Sequence, residues 1–131
     1  MALPNGAGGY QIGDGNLTEV ILAVQSTPTS KAAAATLTPA ELTNNIIVYT
    51  GASASLTLPT VADLEALVTS AKNNSSFDVN FVNTGAGTLT IATTAGTGWT
   101  LVGTVTSATL TSAAWRAFKT GVNAWSFYRI A

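Results

Sequence analysis

Apolar and polar residues alternate along the chain from Ser76 to Ile91. Every second residue is apolar: Phe77, Val79 and Phe81 in the first half, and Leu89 and Ile91 in the second. This period of two is typical of a β-strand with one buried face. Gly85 and Gly87 lie between the halves, and glycine accepts the positive φ angles of tight turns. The pattern predicts a β-hairpin over Ser76–Ile91.

Further short strands are predicted on both sides of this hairpin. They are Ala35–Leu37, Ile46–Tyr49, Ser55–Leu58, Trp99–Val102, Thr104–Leu110, Ala113–Thr120 and Ala124–Ile130. Leu17–Val24 is compatible with a strand or a short helix. Turn signals about every 8–12 residues are typical of sandwiches and barrels. We therefore expect an all-β, antiparallel β-sandwich or jelly-roll-like domain over residues 17–131, with no repeat period that would indicate a solenoid.

One short α-helix is predicted at Val61–Ala71. Its apolar positions follow the 3.6-residue helical period: Val61, Leu64, Leu67, Val68 and Ala71. Thr60 is placed to cap the N-terminus, with Asp63 three residues on. Lys72 would lie at the C-terminal end, where a cation suits the helix dipole, and Glu65 would face solvent. The helix is expected to close one end or face of the sandwich.

Residues 1–16 form a glycine-rich segment ahead of this domain. Ordering so many glycines costs backbone entropy, so the segment needs a partner surface in order to fold. Leu3, Tyr10 and Ile12 are isolated apolar residues that could anchor it. We interpret the segment as an extended arm lying across a neighbouring subunit, and a frayed terminus is the alternative.

Composition points to a chain whose surface is covered. Only 8% of its residues are charged, against about 25% in an ordinary soluble domain. With so few charges, a lone protein has little protection against self-association. We therefore expect contact with copies of the same chain or with a larger assembly. A stable β monomer with a Thr- and Ser-rich surface is the alternative.

The last predicted strand has two apolar faces. Trp125 and Phe127 fall on one face, and Tyr128 and Ile130 fall on the other. Both faces are expected to be covered. Trp125, Tyr128 and Arg129 are therefore candidate contacts with a neighbouring subunit. Arg116 and Arg129 lie on predicted strands and could pair with Asp78 or with a neighbouring chain.

The residue inventory argues against an enzyme. There is no histidine and no cysteine, so the commonest general base and the thiolate metal ligands are missing. No Ser or Thr lies in a recognisable nucleophile motif. A glycosidase-like pair of carboxylates that the fold brings together is the alternative, and the six candidates are Asp14, Glu19, Glu41, Asp63, Glu65 and Asp78. Gly13–Asn16 resembles only the start of a calcium loop and is interpreted as a turn. We expect no catalytic residues, no cofactor and no metal.

Charge and hydropathy also limit the partners. The net charge is −1 and the five Lys and Arg residues are scattered, so the basic stripe of a nucleic-acid binder is missing. No apolar run approaches the roughly 20 residues that span a bilayer. No cation precedes Lys31 to form the start of a signal peptide. We expect neither nucleic acid nor membrane as a partner, and assembly inside a cell.

Several short stretches resemble the capsid decoration (cement) proteins of tailed bacteriophages. They are Gly8–Asn16, Leu58–Thr60, Ser76–Val79, Asn83–Gly87, Gly98–Gly103 and Phe127–Ile130. The resemblance covers most of the chain outside Thr18–Ser55. Phage fibre and spike modules share this Thr-, Gly- and Ala-rich β style.

The resemblance implies a structural virion protein on the capsid exterior, assembled in the host cytoplasm. Such a protein would form a homotrimer and cement the capsid by bridging neighbouring major capsid protein subunits, with its arms reaching the shell. The alternative is a fibre, spike or receptor-binding module that recognises host glycans. Its aromatic platform would come from Trp99, Trp115 and Trp125, although aromatic residues on strands more often belong to the core or an interface.

Overall fold

The computed structural model of the protein describes residues 22–131. The predicted arm, with Leu3, Tyr10 and Ile12, lies outside the described residues, as does most of Leu17–Val24. Residues 22–28 belong to neither a helix nor a strand.

Ten strands and two helices make up the described part of the chain. The strands are β1 (Thr29–Lys31), β2 (Ala35–Thr36), β3 (Ile46–Tyr49), β4 (Ala54–Thr57), β5 (Ser76–Asn83), β6 (Leu89–Ala92), β7 (Trp99–Val102), β8 (Thr106–Ser107), β9 (Thr111–Gly121) and β10 (Ala124–Arg129). The helices are α1 (Pro39–Thr43) and α2 (Val61–Leu67). The bounds predicted for β3 and β7 are confirmed, whereas only two residues of the predicted strand Thr104–Leu110 are in a strand.

The strands form two mixed sheets. One sheet has six strands in the order β1-β3-β5-β9-β10-β7, and the other has four in the order β2-β4-β6-β8. Five of the eight strand pairings are parallel: β1 with β3, β3 with β5, β2 with β4, β4 with β6, and β7 with β10. The β-rich class is confirmed, but the expectation of antiparallel pairing is wrong for these five.

The predicted hairpin over Ser76–Ile91 is wrong. Its two halves are β5 and β6, which lie in different sheets and do not pair with each other. Two earlier strand pairs, β1–β2 and β3–β4, cross between the sheets in the same way, and we call each crossing an arch. The arches stack in parallel register, with Ile47 opposite Phe81 in the larger sheet and Leu56 opposite Ile91 in the smaller.

Glycine permits this stacking because backbone meets backbone at the crossings. A Cβ added at Gly51 would overlap the Ala32 carbonyl oxygen of the first arch, and one at Gly85 would overlap the Gly51 carbonyl oxygen of the second. Gly85 does not have a positive φ angle. Glycine is therefore needed here for close approach between arches, and not for the hairpin turn that the sequence suggested.

A buried asparagine fixes the third arch. Asn83 is 1% exposed. Its Nδ2 donates to the carbonyl oxygens of Gly87, Ser107 and Ala108 at 2.9–3.1 Å. Its Oδ1 accepts from the Gly85 N–H at 3.0 Å. One side chain thus hydrogen-bonds to backbone groups of the arch, of the last residue of β8 and of the residue after it, and ties these parts of the chain together.

Both helices begin after a capping threonine, and α2 is shorter than predicted. The Thr60 hydroxyl accepts from the Asp63 N–H at 3.1 Å, which confirms the predicted N-cap of α2. The helix ends at Leu67, not at Ala71, so Lys72 is not in its last turn. A second helix, α1, was not predicted, although its start is a full capping box in which Thr38 and Glu41 bond to each other's backbone N–H.

Both sheets and both helices contribute to one core. Its fully buried members include Leu42 of α1, Leu64 of α2, Leu56 of β4 and Trp115 of β9. Trp115 stacks on Phe127 with ring centroids 4.8 Å apart. The strands of both sheets face this core, so their inner positions are apolar.

We expect Gly85→Ala to destabilise the fold by about 1–3 kcal/mol, because the new methyl group collides with backbone that cannot move aside. Urea unfolding at constant pH measures the loss. Gly121→Ala is the control, since a Cβ there meets nothing within contact distance and should change stability by less than about 0.5 kcal/mol. Equal losses in both variants would contradict the close packing of the arches.

Asn83→Ala should also lower the free energy of unfolding, by about 1–3 kcal/mol, because several buried backbone groups lose their partner. Asn80→Ala serves as the control, since Asn80 lies on the same strand but is exposed. Thermal and urea unfolding of the two variants would be compared. A stable Asn83→Ala protein would show that the arch does not need this side chain.

Candidate interaction surface

The outer face of the six-stranded sheet carries an exposed apolar patch. Its members are Val102 on β7, Phe118 on β9, Tyr128 on β10 and Ile130 just beyond it, and we call them the outer patch. Val102, Tyr128 and Ile130 are 41%, 36% and 60% exposed. Phe118 and Tyr128 meet edge to face with centroids 6.4 Å apart, and Val102 stands opposite Tyr128 in the ladder. Apolar side chains grouped in this way are typical of contact surfaces.

An ion pair lies beside the outer patch on the same face. The Arg116 Nε lies 2.7 Å from Asp78 Oδ1, which confirms the pairing that the sequence suggested for these residues. The guanidinium group holds the pKa of Asp78 below its usual value by hydrogen bonding and then by charge. Both side chains are more than half exposed, so we expect the pair to add little to stability.

The segment from Leu22 to Pro28 leads into β1 and exposes two apolar side chains. We call it the leading segment. Leu22 is 84% exposed and Val24 is fully exposed. The segment is held by Asn44, whose Nδ2 donates to the Thr27 carbonyl at 2.8 Å and whose carbonyl accepts from Gln25 Nε2 at 3.0 Å. The apolar side chains are therefore presented to solvent by a segment that is itself tied to the domain.

The three candidate interface residues of the last strand have different environments. Trp125 is 1% exposed, so it belongs to the core and is not accessible to a partner. Arg129 donates to the carbonyl oxygens of Thr104 and Thr106 at 3.0 Å, which makes it a link within the chain. Only Tyr128 lies on the exposed face.

The sequence predicts that Glu65 faces solvent, and this prediction is wrong. Its carboxylate pairs with the Lys119 ammonium group and accepts from Trp125 Nε1 at 2.9 Å. Lys119 is 8% exposed. The two hydrogen bonds, that of Lys119 first, hold the pKa of Glu65 below its usual value. The cluster links α2 to β9 and β10, and a carboxylate engaged in this way is suited to holding elements together.

The tryptophans do not form an open platform. Trp115 and Trp125 are each 1% exposed. Trp99 is partly buried, and its Nε1 donates to the Pro59 carbonyl at 2.7 Å. Their rings pack with one another and with Phe127 in the core, which is the more common role of aromatic residues on strands.

Some of the candidate surface was missed in the sequence. Leu22 and Val24 fall in Leu17–Val24, whose pattern is compatible with a strand or a short helix and does not show that they are exposed. No sequence signal distinguishes Val102 from the other apolar residues on strands. Period-two alternation in β9 could have identified Phe118, since it is out of phase with Trp115 and Ala117.

Two further features bear on function. Residues 22–131 contain no group of three or more carboxylate, His or Cys side chains that could hold a metal ion. No helix in this part of the chain is long and apolar enough to cross a membrane.

Comparison of the chain with family models, curated proteins and solved structures found no match.

We expect Glu65→Gln to destabilise the protein at pH 7 by about 1–3 kcal/mol, because the buried Lys119 charge loses its partner. The folded pKa of Glu65 is lowered, so the stabilisation is present above the unfolded value of about 4.3. It is lost as the pH falls through the still lower folded value. The difference between wild type and variant should therefore shrink between pH 5 and about pH 3.

A double-mutant cycle isolates the pair. Urea unfolding of Glu65→Gln, Lys119→Met and the double variant gives the coupling energy directly. Additive losses at pH 7, or a coupling that does not change on acidification, would contradict the proposed role of the ion pair.

Proposed function

We propose that this protein is a structural virion protein that decorates and stabilises a phage capsid. In the proposal, a homotrimer bridges neighbouring major capsid protein subunits on the capsid exterior after assembly in the host cytoplasm. The observation that carries it is the leading segment, whose exposed Leu22 and Val24 suit contact between copies and which is separated from the glycine-rich residues 1–16 only by residues 17–21. A chain with 8% charged residues and such apolar side chains on its surface is suited to contact other proteins.

The proposed cementing energy comes from apolar burial and main-chain pairing. Burying a Leu or Val side chain fully is worth about 1.5–3 kcal/mol. An extended arm can also hydrogen-bond along an exposed strand edge of its neighbour. Three arms on one trimer convert a modest contact per copy into strong attachment through multivalency. We propose Leu3, Tyr10 and Ile12 as the anchors of the arm on the shell.

The charges of the described residues agree with protein partners. Lys31, Arg116 and Lys119 are each paired with a carboxylate of the same chain. Their charge is therefore largely compensated, whereas a nucleic-acid interface needs uncompensated cations facing the phosphates. Neither nucleic acid nor a membrane is part of the proposal.

We also propose that the fold is a β-sandwich, because the inner faces of its two sheets supply one core. Its parallel arches depart from the antiparallel strand pairing of a jelly roll, so the sandwich is the description that we keep. The alternative of a glycan-binding fibre module has less support, because two of its three platform tryptophans are buried.

The test is made on particles of the phage that encodes the chain. Mass spectrometry of purified particles should detect the protein, and chemical cross-linking should join it to the major capsid protein. Deletion of residues 1–16 should abolish its retention on the particles during sedimentation while circular dichroism stays unchanged. Absence from the particles, or full retention of the truncated protein, would contradict the proposal.

A further inference from the structure

An unpaired strand edge and a segment that belongs to neither a helix nor a strand occur in the same molecule. β7 ends the six-stranded sheet and has four residues, the longest of the edge strands in residues 22–131. The leading segment carries two apolar side chains, Leu22 and Val24, that are 84% and fully exposed. Each feature needs the kind of partner that the other would provide.

The peptide groups of β7 alternate in direction. The Trp125 N–H donates to the Gly98 carbonyl at 3.0 Å, so Gly98 and every second residue after it face β10. The N–H and C=O groups of Trp99 and Leu101 therefore point away from the sheet. No partner for them lies within residues 22–131. Such a row of unpaired groups is a template for an added strand.

Side chains next to this edge suit an apolar strand. Val102 lies on the outer face of β7. Its neighbour on the next strand, β10, is Tyr128, and Tyr128 in turn contacts Phe118 on β9. Leu22 and Val24 are two residues apart, so in an extended strand they fall on one face. A strand added beside β7 would place them against Val102 and extend the outer patch by one more strand.

The leading segment does not pair with β7 of its own chain. Leu22 and Val24 are almost completely exposed in the single chain, so they do not pack on their own β7. The leading segment continues into β1, which lies at the opposite end of the sheet from β7. A second copy of this chain is the occupant that carries a matching segment at a known place.

We propose that the leading segment of one copy pairs with the β7 edge of a second copy and covers part of its outer patch. The contact joins two different surfaces, so it is head to tail and closes into a ring when the rotation permits. The inference specifies how copies in the proposed homotrimer meet, and it rests on the proposed function for the number of copies.

The test uses the full-length purified chain and light scattering on a sizing column. Wild type at about 50 μM should have three times the 13.3 kDa mass of one chain. The donor variant Leu22→Glu/Val24→Glu and the acceptor variant Val102→Glu should each have the mass of one chain. Val122→Glu is the matched control, since Val122 is 85% exposed in the turn after β9, and it should keep the wild-type mass.

Mixing the two variants distinguishes this contact from other modes of association. The donor variant keeps an intact β7 edge and the acceptor variant keeps an intact leading segment, so an equal mixture should form a 1:1 heterodimer. Amide hydrogen exchange at Trp99 and Leu101 should be slow in wild type and fast in the donor variant, with unchanged protection elsewhere in the sheet.

A monomeric wild type, an unchanged mass in the donor or acceptor variant, or a mixture that stays monomeric would overturn the inference. The proposed function fails separately, because it requires the protein on purified particles. A donor variant that keeps its oligomeric mass and remains on the particles would refute the proposed pairing of the leading segment with β7. It would not contradict the proposed cementing function.

Discussion

Direct contact between the backbones of successive arches is the constraint on which the fold depends. Gly51 lies against the first arch and Gly85 lies against the second, with no room for a side chain at either position. The absence of side chains at these glycines lets successive crossings lie against each other, and the strands on both sides of the crossings stack in parallel. Asn83 then satisfies the backbone groups that the third crossing buries. The other four strands, β7 to β10, are added to this stack by three antiparallel pairings and one parallel pairing.

Helix α2 connects the core to strands β9 and β10. Leu64 of α2 is buried in the core, and Glu65 on the next position reaches Lys119 of β9 and the Trp125 indole of β10. One short helix therefore joins the arches to the last two strands by apolar packing and by an ion pair. The pair is less exposed than Asp78–Arg116, so we attribute more of the stability to it.

The surface that remains after this packing is poor in charge and ends in unpaired strands. Most edges are two or three residues long, which limits uncontrolled association. β7 is longer and lies next to Val102 and Tyr128. The leading segment, with Leu22 and Val24, is the complementary feature on the opposite side of the sheet. Proposed self-association and proposed capsid binding thus use different parts of the chain, the leading segment and residues 1–16.

The sequence alone determined the β-rich class, most strand positions and the capped start of α2, because these depend on local alternation and on side chains a few residues apart. It predicted a hairpin at Gly85, because the sequence does not distinguish a glycine that is needed for a turn from a glycine that is needed where two backbone segments are in close contact. Only the tertiary structure decided which sheet each strand joins, since the spacing between arches is unequal and leaves no repeat. It also decided that Trp125 is buried and Glu65 is paired. Trp125 packs on Phe77 and Trp99, and Glu65 bonds to Lys119 and Trp125, and these partners come from other elements of the chain.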